Sequence, residues 1–265
     1  MSILHEIMTF KAQEVSAMRK AWPEEKLHLG IAEQPAPTSM SNAFKKNPPA
    51  NLQSRILAEV KKASPSKGLL RPNLDGVKLA REYQTAGATA VSVLTDSKYF
   101  QGSYERIAAI RPHLDIPILA KEFIMDPWQI LKARSVGADC ILLIVAALDA
   151  PVLKDLTQFT HSLGMEALIE VHDLNELNIA IDAGGDLVGV NNRNLKTFET
   201  SIDVSLSLAE SIPEELVSLS ESGIDSREQI EVLERAGFSG FLIGEGLVIQ
   251  DVPGDKLREL GGSAR

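Results

Sequence analysis

The chain has 265 residues, of which 44% are hydrophobic and 24% charged; this is ordinary globular composition and excludes a largely disordered protein. Its net charge of −9, from 27 basic and 36 acidic residues, argues against a general nucleic-acid-binding protein. The single cysteine excludes an intrachain disulfide, and the longest apolar run, residues 140–148, is far shorter than the roughly 18 residues of a membrane span.

The N-terminal segment is predicted to be a helical extension of one larger domain. Residues 4–20 carry apolar side chains along one side and predict a helix. Residues 33–49 are rich in proline, serine and asparagine and predict a loop. The N-terminus has no basic region followed by an apolar core, so we expect no secretory signal and a cytoplasmic protein. We therefore expect a single domain over residues 1–265, with residues 1–50 as its N-terminal helical extension.

Short apolar segments recur along the rest of the chain and predict β-strands. They are residues 56–61, 89–95, 117–122, 140–145, 167–171, 187–191, 216–220 and 240–243. Most of them are apolar almost throughout instead of alternating with polar residues. This pattern is typical of parallel strands that are covered on both faces.

The spacing of these strands predicts a barrel. Consecutive strand centres lie roughly 21 to 33 residues apart, which suits one strand and one crossover helix. Helical patterns fill several of the gaps, at residues 75–86, 127–136, 174–183 and 226–236. Glycine follows each of these four helices, where it can take a left-handed conformation at little cost. Eight such units predict a (β/α)8 TIM barrel. An open doubly wound sheet is the alternative, but its Gly-x-Gly-x-x-Gly fingerprint is absent.

Charged side chains at the carboxyl ends of the strands predict an active site, because barrel enzymes place their catalytic residues there. The strongest candidates are Glu59, Lys61, Lys121 and Glu170. Inside a strand each of these charges would cost several kcal/mol unless it were paired (~3–5 kcal/mol for a broken buried pair). Gathered at one mouth, they would provide both an acid and a base. We expect burial and neighbouring cations to lower the pKa of a lysine there towards neutrality.

Two glycine-containing turns predict a phosphate site. Ser222-Gly223 follows the seventh strand and Gly244-Glu245-Gly246 follows the eighth, which are the positions where many barrels bind phosphate.

The other charged side chains suggest a second anionic group on the substrate. Lys61, Lys121 and Arg193 are expected to form a cationic floor that suits a group such as a carboxylate. No histidines lie at metal-ligand spacing, so we expect no metal site, and His172 is expected to be a loop or surface residue.

These segments resemble the indole-3-glycerol-phosphate synthase family, in collinear blocks from about residue 55 to residue 250. The blocks are EVKKASPSKG at 59–68, LTD and KYFQGS between 94 and 103, PILAKEF at 117–123, LIEVHD at 168–173, VGVNNRNL at 188–195, SESGI at 220–224 and FLIGE at 241–245. The first and the VGVNNRNL block are the most diagnostic. The family also carries an N-terminal helical segment like the one predicted for residues 1–50.

The resemblance implies a reaction without a cofactor. In it, 1-(2-carboxyphenylamino)-1-deoxyribulose 5-phosphate closes its ring and loses carbon dioxide and water, giving indole-3-glycerol phosphate in tryptophan biosynthesis. By resemblance, Lys121 is the acid that protonates the ketone oxygen and Glu170 is the base that removes the ring proton. Glu59 is implied to hold and tune Lys121, and Lys61 to bind an anionic group and to serve in dehydration. Which lysine serves which step stays open.

The resemblance also implies the substrate contacts. Asn191 is expected to hold a sugar hydroxyl and Arg193 to support the polar network around it. The residues expected to cradle phosphate are Ser222, Gly223, Gly244 and Glu245. The apolar slot for the aromatic ring is expected to comprise Phe100, Phe123, Leu142 and Leu195. The predicted substrate-binding set also includes Ser64, Glu221 and Leu242.

Two other functions are compatible with a phosphate-binding barrel. One is phosphoribosylanthranilate isomerase, although that reaction needs one acid and one base, and the paired lysines argue against it. The other is a non-catalytic binding protein, against which the full set of strand-end charges argues. We expect a small phosphorylated substrate as the partner, with no nucleic acid and no membrane, and a monomer or weak homo-oligomer. Whether residues 30–50 form a lid over the site stays open.

Overall fold

The computed structural model describes residues 3–48 and 52–262. Within them, parallel strands close into a barrel in which each strand pairs with its neighbours in chain order. Leu57 of the first strand lies beside Ala90 of the second and Leu242 of the last, which closes the ring. The strands are β1 (Ile56–Val60), β2 (Ala90–Leu94), β3 (Ile118–Lys121), β4 (Cys140–Ile144), β5 (Glu166–Val171), β6 (Leu187–Asn191), β7 (Val217–Glu221) and β8 (Gly240–Ile243). The predicted (β/α)8 barrel is confirmed, and the open sheet is excluded.

Helices precede the barrel and follow its strands. Before β1 come α1 (Ile3–Ala21), α2 (Glu24–Glu33) and α3 (Met40–Lys45). The others are α4 (Gly76–Ala86), α5 (Tyr104–Ile110), α6 (Pro127–Ser135), α7 (Ala150–Ser162), α8 (Leu174–Ala183), α9 (Asp203–Leu208), α10 (Arg227–Arg235), α11 (Glu245–Val248) and α12 (Pro253–Gly261). A small antiparallel hairpin, Ala63–Ser64 with Gly68–Leu69, follows β1.

The predicted strands and helices lie within one or two residues of the observed ones, because two clear signals mark them. All of the barrel strands are buried along nearly their whole length. The glycines after α4 and α8 are left-handed, with φ of 99° at Gly87 and 79° at Gly184. In that conformation a residue with a Cβ is strained, so glycine ends these helices at the predicted places.

The prediction of a loop over residues 33–49 is wrong where α3 forms. The Ser39 hydroxyl accepts a hydrogen bond from the Asn42 backbone N–H and caps the helix, while Met40 and Phe44 are fully buried. Phe44 packs so closely on Gly240, at the start of β8, that a Cβ there would lie 2.4 Å from its ring. The short helix therefore covers the amino-terminal end of the barrel. The loop's last residue, and the predicted domain limits at residues 1, 50 and 265, lie outside the described residues.

The barrel has two apolar layers that leave its carboxyl-terminal mouth for polar groups. Inside the ring, leucines such as Leu57, Leu119 and Leu219 are fully buried. Outside it, side chains from the strands and helices form the larger core cluster between sheet and helices. Among the helices of residues 3–48 and 52–262, none has the length and hydropathy to cross a bilayer.

Candidate active site

The carboxyl ends of the strands surround a cavity of about 590 Å³. Every site residue predicted from the sequence lines it. These are Glu59, Lys61, Ser64, Phe100, Lys121, Phe123, Leu142, Glu170, Asn191, Arg193, Leu195, Glu221, Ser222, Gly223, Leu242, Gly244 and Glu245. The structure thus brings the predicted set together at one end of the barrel. Their individual roles remain predictions.

Lys121 lies at the centre of an acid–base cluster. Its Nζ is 3.1 Å from Glu170 Oε2 on β5 and 2.9 Å from Glu221 Oε2 on β7. Asn191 at the end of β6 donates from Nδ2 to the other oxygen of Glu170, at 3.1 Å. Because these side chains leave the ends of β3, β5, β6 and β7 at the same mouth, the barrel itself fixes their separation. One ammonium group is shared by two buried carboxylates.

The expectation of a lowered lysine pKa is wrong for Lys121. Burial by itself lowers the pKa of Lys121, but the negative charges of Glu221, Glu170 and Glu59 outweigh burial and raise it. The neighbours that matter are therefore carboxylates instead of cations. Lys121 is held in its protonated form at neutral pH.

The two carboxylates on Lys121 differ in proton affinity. Burial raises the pKa of Glu221 to about 7, helped by repulsion from Glu170 and against the attraction of Lys121. Burial acts on Glu170 in the same direction, but Lys121, His172 and the amide of Asn191 outweigh it and lower the pKa of Glu170. Near pH 7, Glu170 is therefore the more fully ionised carboxylate of the pair, and Glu221 is the one that takes up a proton more readily.

A second ion pair lies beside this cluster. Lys61, directly after β1, places Nζ 2.6 Å from Glu59 Oε2. Gly244 packs against this pair so tightly that a Cβ there would lie 2.1 Å from Glu59 Oε2. Gly244 therefore admits the Glu59–Lys61 pair to the cavity, a reason for glycine that the sequence did not indicate.

Positive φ angles shape the turn after β7. Ser222 and Gly223 have φ of 68° and 70°, which is uncommon for a residue with a Cβ such as Ser222. The buried amide of Asn192 donates to the Ser222 carbonyl at 3.1 Å and fixes this conformation. Glu245 begins α11, directly after Gly244. The two predicted phosphate turns therefore face the same cavity.

An apolar slot occupies another part of the mouth. The rings of Phe100 and Phe123 lie 6.0 Å apart, tilted by 37°. Leu142 and Leu242 are buried beneath the cavity, and Leu195 lines it. Three lining residues from α1 were not predicted as part of the site: Ile3, Leu4 and Ile7. The amphipathic pattern of α1 indicated a buried face, but not which surface it would cover.

The cationic floor predicted from Lys61, Lys121 and Arg193 differs from expectation. Arg193 does line the cavity, but its guanidinium donates to the Phe198 carbonyl of its own loop, at 3.1 Å. Since the two lysines are also paired with carboxylates, the predicted cationic floor is a mixed-charge floor instead.

His172 lies in the loop between β5 and α8, as expected, but its side chain is only 16% exposed and is not on the surface. Its Nδ1 lies 2.9 Å from Glu176 and its Nε2 lies 3.6 Å from Glu170. Burial lowers the pKa of His172, but both carboxylates outweigh burial and raise it.

No group of three or more His, Cys, Asp or Glu side chains in the described part of the chain is arranged to hold a metal ion.

Comparisons with known proteins identify the family. The sequence profile of a family described as indole-3-glycerol phosphate synthase matches residues 4–260. A protein of that name from Chlorobium chlorochromatii (strain CaD3) is 44% identical over 249 residues, covering 94% of this chain and 96% of the relative. Another of that name, from Burkholderia multivorans (strain ATCC 17616 / 249), is 42% identical over 258 residues, covering 97% and 98%.

Solved structures support the fold alone. Thiamine phosphate pyrophosphorylase from Pyrococcus furiosus has a TM-score of 0.62 at 15% identity, covering 84% of this chain and 96% of that one. The tryptophan synthase A-subunit from Pyrococcus furiosus has a TM-score of 0.60 at 14% identity, covering 80% and 99%.

Proposed function

The chain belongs to the indole-3-glycerol phosphate synthase family, and from that premise we propose that it is a carbon–carbon lyase of tryptophan biosynthesis. It converts 1-(2-carboxyphenylamino)-1-deoxyribulose 5-phosphate into indole-3-glycerol phosphate, carbon dioxide and water. The observation that carries this assignment is the position of Lys121 between two carboxylates of unequal pKa, in a cavity that also holds an apolar slot and glycine turns.

Ring closure is the first step. The ring carbon that bears the carboxylate bonds to the ketone carbon, while Lys121 donates a proton to the ketone oxygen, which becomes a hydroxyl. Carbon dioxide then leaves, and its bonding electron pair restores the aromatic ring. Because its pKa is raised, Lys121 enters each turnover protonated and available as the acid, while the same shift makes it a weaker acid than an ordinary lysine.

Dehydration follows. Glu170 removes a proton from the new five-membered ring, the electron pair forms the double bond, and the hydroxyl leaves as water with a proton from Lys61. Two protons are donated and one is removed, so one proton is consumed in each turnover. This balances the negative charge that departs when the carboxylate becomes carbon dioxide. Two lysines in one cavity allow both donations without an intervening recharge.

The ion pairs also provide a way to reset the site. The proton taken by Glu170 has only 3.1 Å to travel to Lys121 Nζ, which restores both groups at once. Lys61 borders the open cavity and takes its replacement proton from water. Glu59, 2.6 Å from Lys61, keeps that lysine in place.

The remaining cavity residues hold the substrate. In this proposal the phosphate lies against the turns described above, formed by Ser222, Gly223, Gly244 and Glu245. The aromatic ring lies in the slot, and Asn191 holds a sugar hydroxyl while it orients Glu170. The polar and apolar remainder of the set completes the contacts, namely Ser64, Arg193, Leu195, Glu221 and Leu242.

The same proposal has the enzyme act in the cytoplasm as a monomer or weak homo-oligomer, independent of nucleic acid. The net charge of −9 supports the last point.

The direct test is turnover of the purified protein. Substrate is added without metal or nucleotide, and indole fluorescence and release of carbon dioxide from the labelled carboxylate are followed together. We expect both signals to rise at the same rate, and we expect neither with Lys121→Ala. A folded protein that gives neither signal would overturn the proposal, and product formation without carbon dioxide would indicate an isomerase instead.

A further inference from the structure

A buried ion cluster links α1 to the edge of the active site. Lys11 is only 2% exposed, and its Nζ lies 2.6 Å from Glu14, 2.8 Å from Asp96 and 2.9 Å from Glu122. Burial lowers the pKa of Lys11, but Glu122 and Asp96 outweigh burial and raise it. The ammonium is therefore charged, and it compensates carboxylates that would otherwise be buried without a partner.

The first branch of the cluster shapes the loop that carries Phe100. The Asp96 carboxylate accepts hydrogen bonds from the backbone N–H groups of Tyr99, at 2.7 Å, and Phe100, at 3.1 Å. This loop is tight, because a Cβ on Gly102 would lie 2.2 Å from the Leu94 carbonyl oxygen at the end of β2. The loop conformation, and with it the place of the Phe100 ring, depends on an ordered Asp96.

The second branch fixes Phe123. Glu122 directly follows Lys121, accepts the Phe123 N–H at 2.8 Å and accepts the Thr95 hydroxyl at 2.9 Å. Because Thr95 directly precedes Asp96, the two branches are joined twice, once through the Lys11 ammonium and once through the Thr95 hydroxyl. The two rings that they position lie 6.0 Å apart and face the cavity.

Lys11 also anchors α1 itself. Ile7 lies one turn before Lys11 on the same face, and Ile3 one turn further, and both line the cavity with Leu4. Glu14, about one turn after Lys11 in the C-terminal direction, accepts a hydrogen bond from the Ser97 hydroxyl of the Phe100 loop. The helix end over the slot is thus held by the same group that orders the two aromatic loops.

We propose that Lys11 is a positioning residue for the aromatic part of the substrate. By joining Asp96 and Glu122 under α1, it sets the distance between Phe100 and Phe123 and closes the slot that receives the ring. This inference rests on the proposed function, since the slot matters only for an aromatic substrate. Without the ammonium, the two carboxylates repel one another, and the slot loses its shape while the phosphate turns on the opposite strands keep theirs.

The test compares Lys11→Met with the unchanged enzyme in steady-state kinetics. We expect KM to rise at least tenfold and kcat to stay within about threefold, because Lys11 touches no reacting atom. Inhibition by inorganic phosphate should be unchanged. Lys11→Arg, which keeps the positive charge, should have a KM close to that of the unchanged enzyme. A residue that supports only the fold would lower the fraction of active enzyme and leave KM unchanged.

Lys132→Met is the matched control. Lys132 is also a 2% exposed lysine, but it lies over the Trp22 ring at 3.7 Å and 3.7 Å from Glu105, away from the cavity residues. We expect its substitution to lower stability without raising KM. An equal rise in KM for both variants would overturn the role of Lys11.

The remaining outcomes also decide the matter. If Lys11→Met does not fold, Lys11→Met/Glu122→Gln removes the cation together with one buried anion. The ionic link between the two branches is still absent, so KM should again rise at least tenfold. If neither variant folds, Lys11 is a folding residue and the inference is rejected. If the enzyme without substitution is active and a folded Lys11 variant has the same KM, the inference is rejected and the proposed function stands. If the enzyme without substitution is inactive, the proposed function is rejected.

Discussion

Replacing Glu221 by glutamine removes one of the two carboxylates on Lys121 and leaves a neutral side chain of nearly the same shape. Glu221 is almost fully buried, and its Oε1 has no hydrogen-bond partner within the described structure. Lys121 still has its other partner, Glu170, which lies 3.1 Å away in the unchanged protein. We therefore expect Glu221→Gln to fold and to be more stable than the unchanged protein at pH 8.

The size of this effect follows from the pKa of Glu221, which rises from an ordinary 4.5 to about 7. A raised pKa means that the stability contributed by this group is present below pH 4.5 and is lost as the pH rises through 7. Because one pKa unit corresponds to ~1.4 kcal/mol, that loss is about 3 kcal/mol at pH 8. Glutamine does not titrate, so the variant avoids the loss. Its weaker bond to Lys121 reduces the net gain to about 1–3 kcal/mol.

Glu170→Gln is the matched control, because the pKa of Glu170 is shifted in the opposite direction from that of Glu221. The pKa of Glu170 is lowered, so its contribution to stability is present above the ordinary carboxyl pKa and is lost as the pH falls through the lowered value. At pH 8 we therefore expect Glu170→Gln to destabilise the protein. The two variants remove similar groups from the same ammonium, yet should move stability in opposite directions.

Urea unfolding followed by tryptophan fluorescence at pH 5 and pH 8 measures both variants. The advantage of Glu221→Gln should be present at pH 8 and largely absent at pH 5, and activity should fall in both variants. In a chain of this size each kcal/mol also shifts Tm by ~2–4 °C. Equal effects of the two variants, or a stability change in Glu221→Gln that does not vary with pH, would refute this account of the cluster.

Three further changes probe other parts of the site. Lys121→Ala should lower kcat by about 10³-fold or more while inhibition by inorganic phosphate is unchanged, as measured by steady-state kinetics. Asn192→Ala should raise KM and weaken phosphate inhibition about tenfold, because Ser222 loses the hydrogen bond at 3.1 Å that holds its positive φ. His172→Gln should cost more stability at pH 6 than at pH 9: the pKa of His172 is raised beside Glu176, so its contribution is present below pH 6.5 and is lost through the higher folded value, as urea unfolding at both pH values would show.

The barrel and the polar members of its site could be predicted because both leave regular traces in the sequence, whereas the apolar slot was predicted only through the family resemblance. Continuous apolar runs are typical of doubly covered strands, and in a barrel all strand ends meet at one mouth. A polar side chain at the end of such a run, as at Lys121 or Asn191, is therefore close to the other polar side chains at strand ends. Neither inference needs the packing of particular side chains.

What could not be predicted depends on tertiary contacts. The helix α3 has only six residues, too few to show a clear periodicity. It is buried because it covers the amino-terminal end of the barrel. The pKa direction of Lys121 depends on how many carboxylates lie within a few ångströms, and strand order alone does not give that number. The part of α1 in the slot was missed for the same reason, since Ile7 faces a surface formed by loops far along the chain.

Lys11 and Lys121 show how one arrangement can serve two purposes. Each lysine is shared by several carboxylates, and in each the carboxylates raise a pKa that burial lowers. Lys121 is 14% exposed and borders the cavity, whereas Lys11 is 2% exposed and does not. A proton can be given up only where a substrate atom can approach, so charge pattern alone does not distinguish the acid from the anchor. Access to the cavity does distinguish them, and it also predicts where each substitution acts. Substituting Lys121, which meets the substrate, should change kcat, whereas substituting Lys11, which is buried outside the cavity, should change KM.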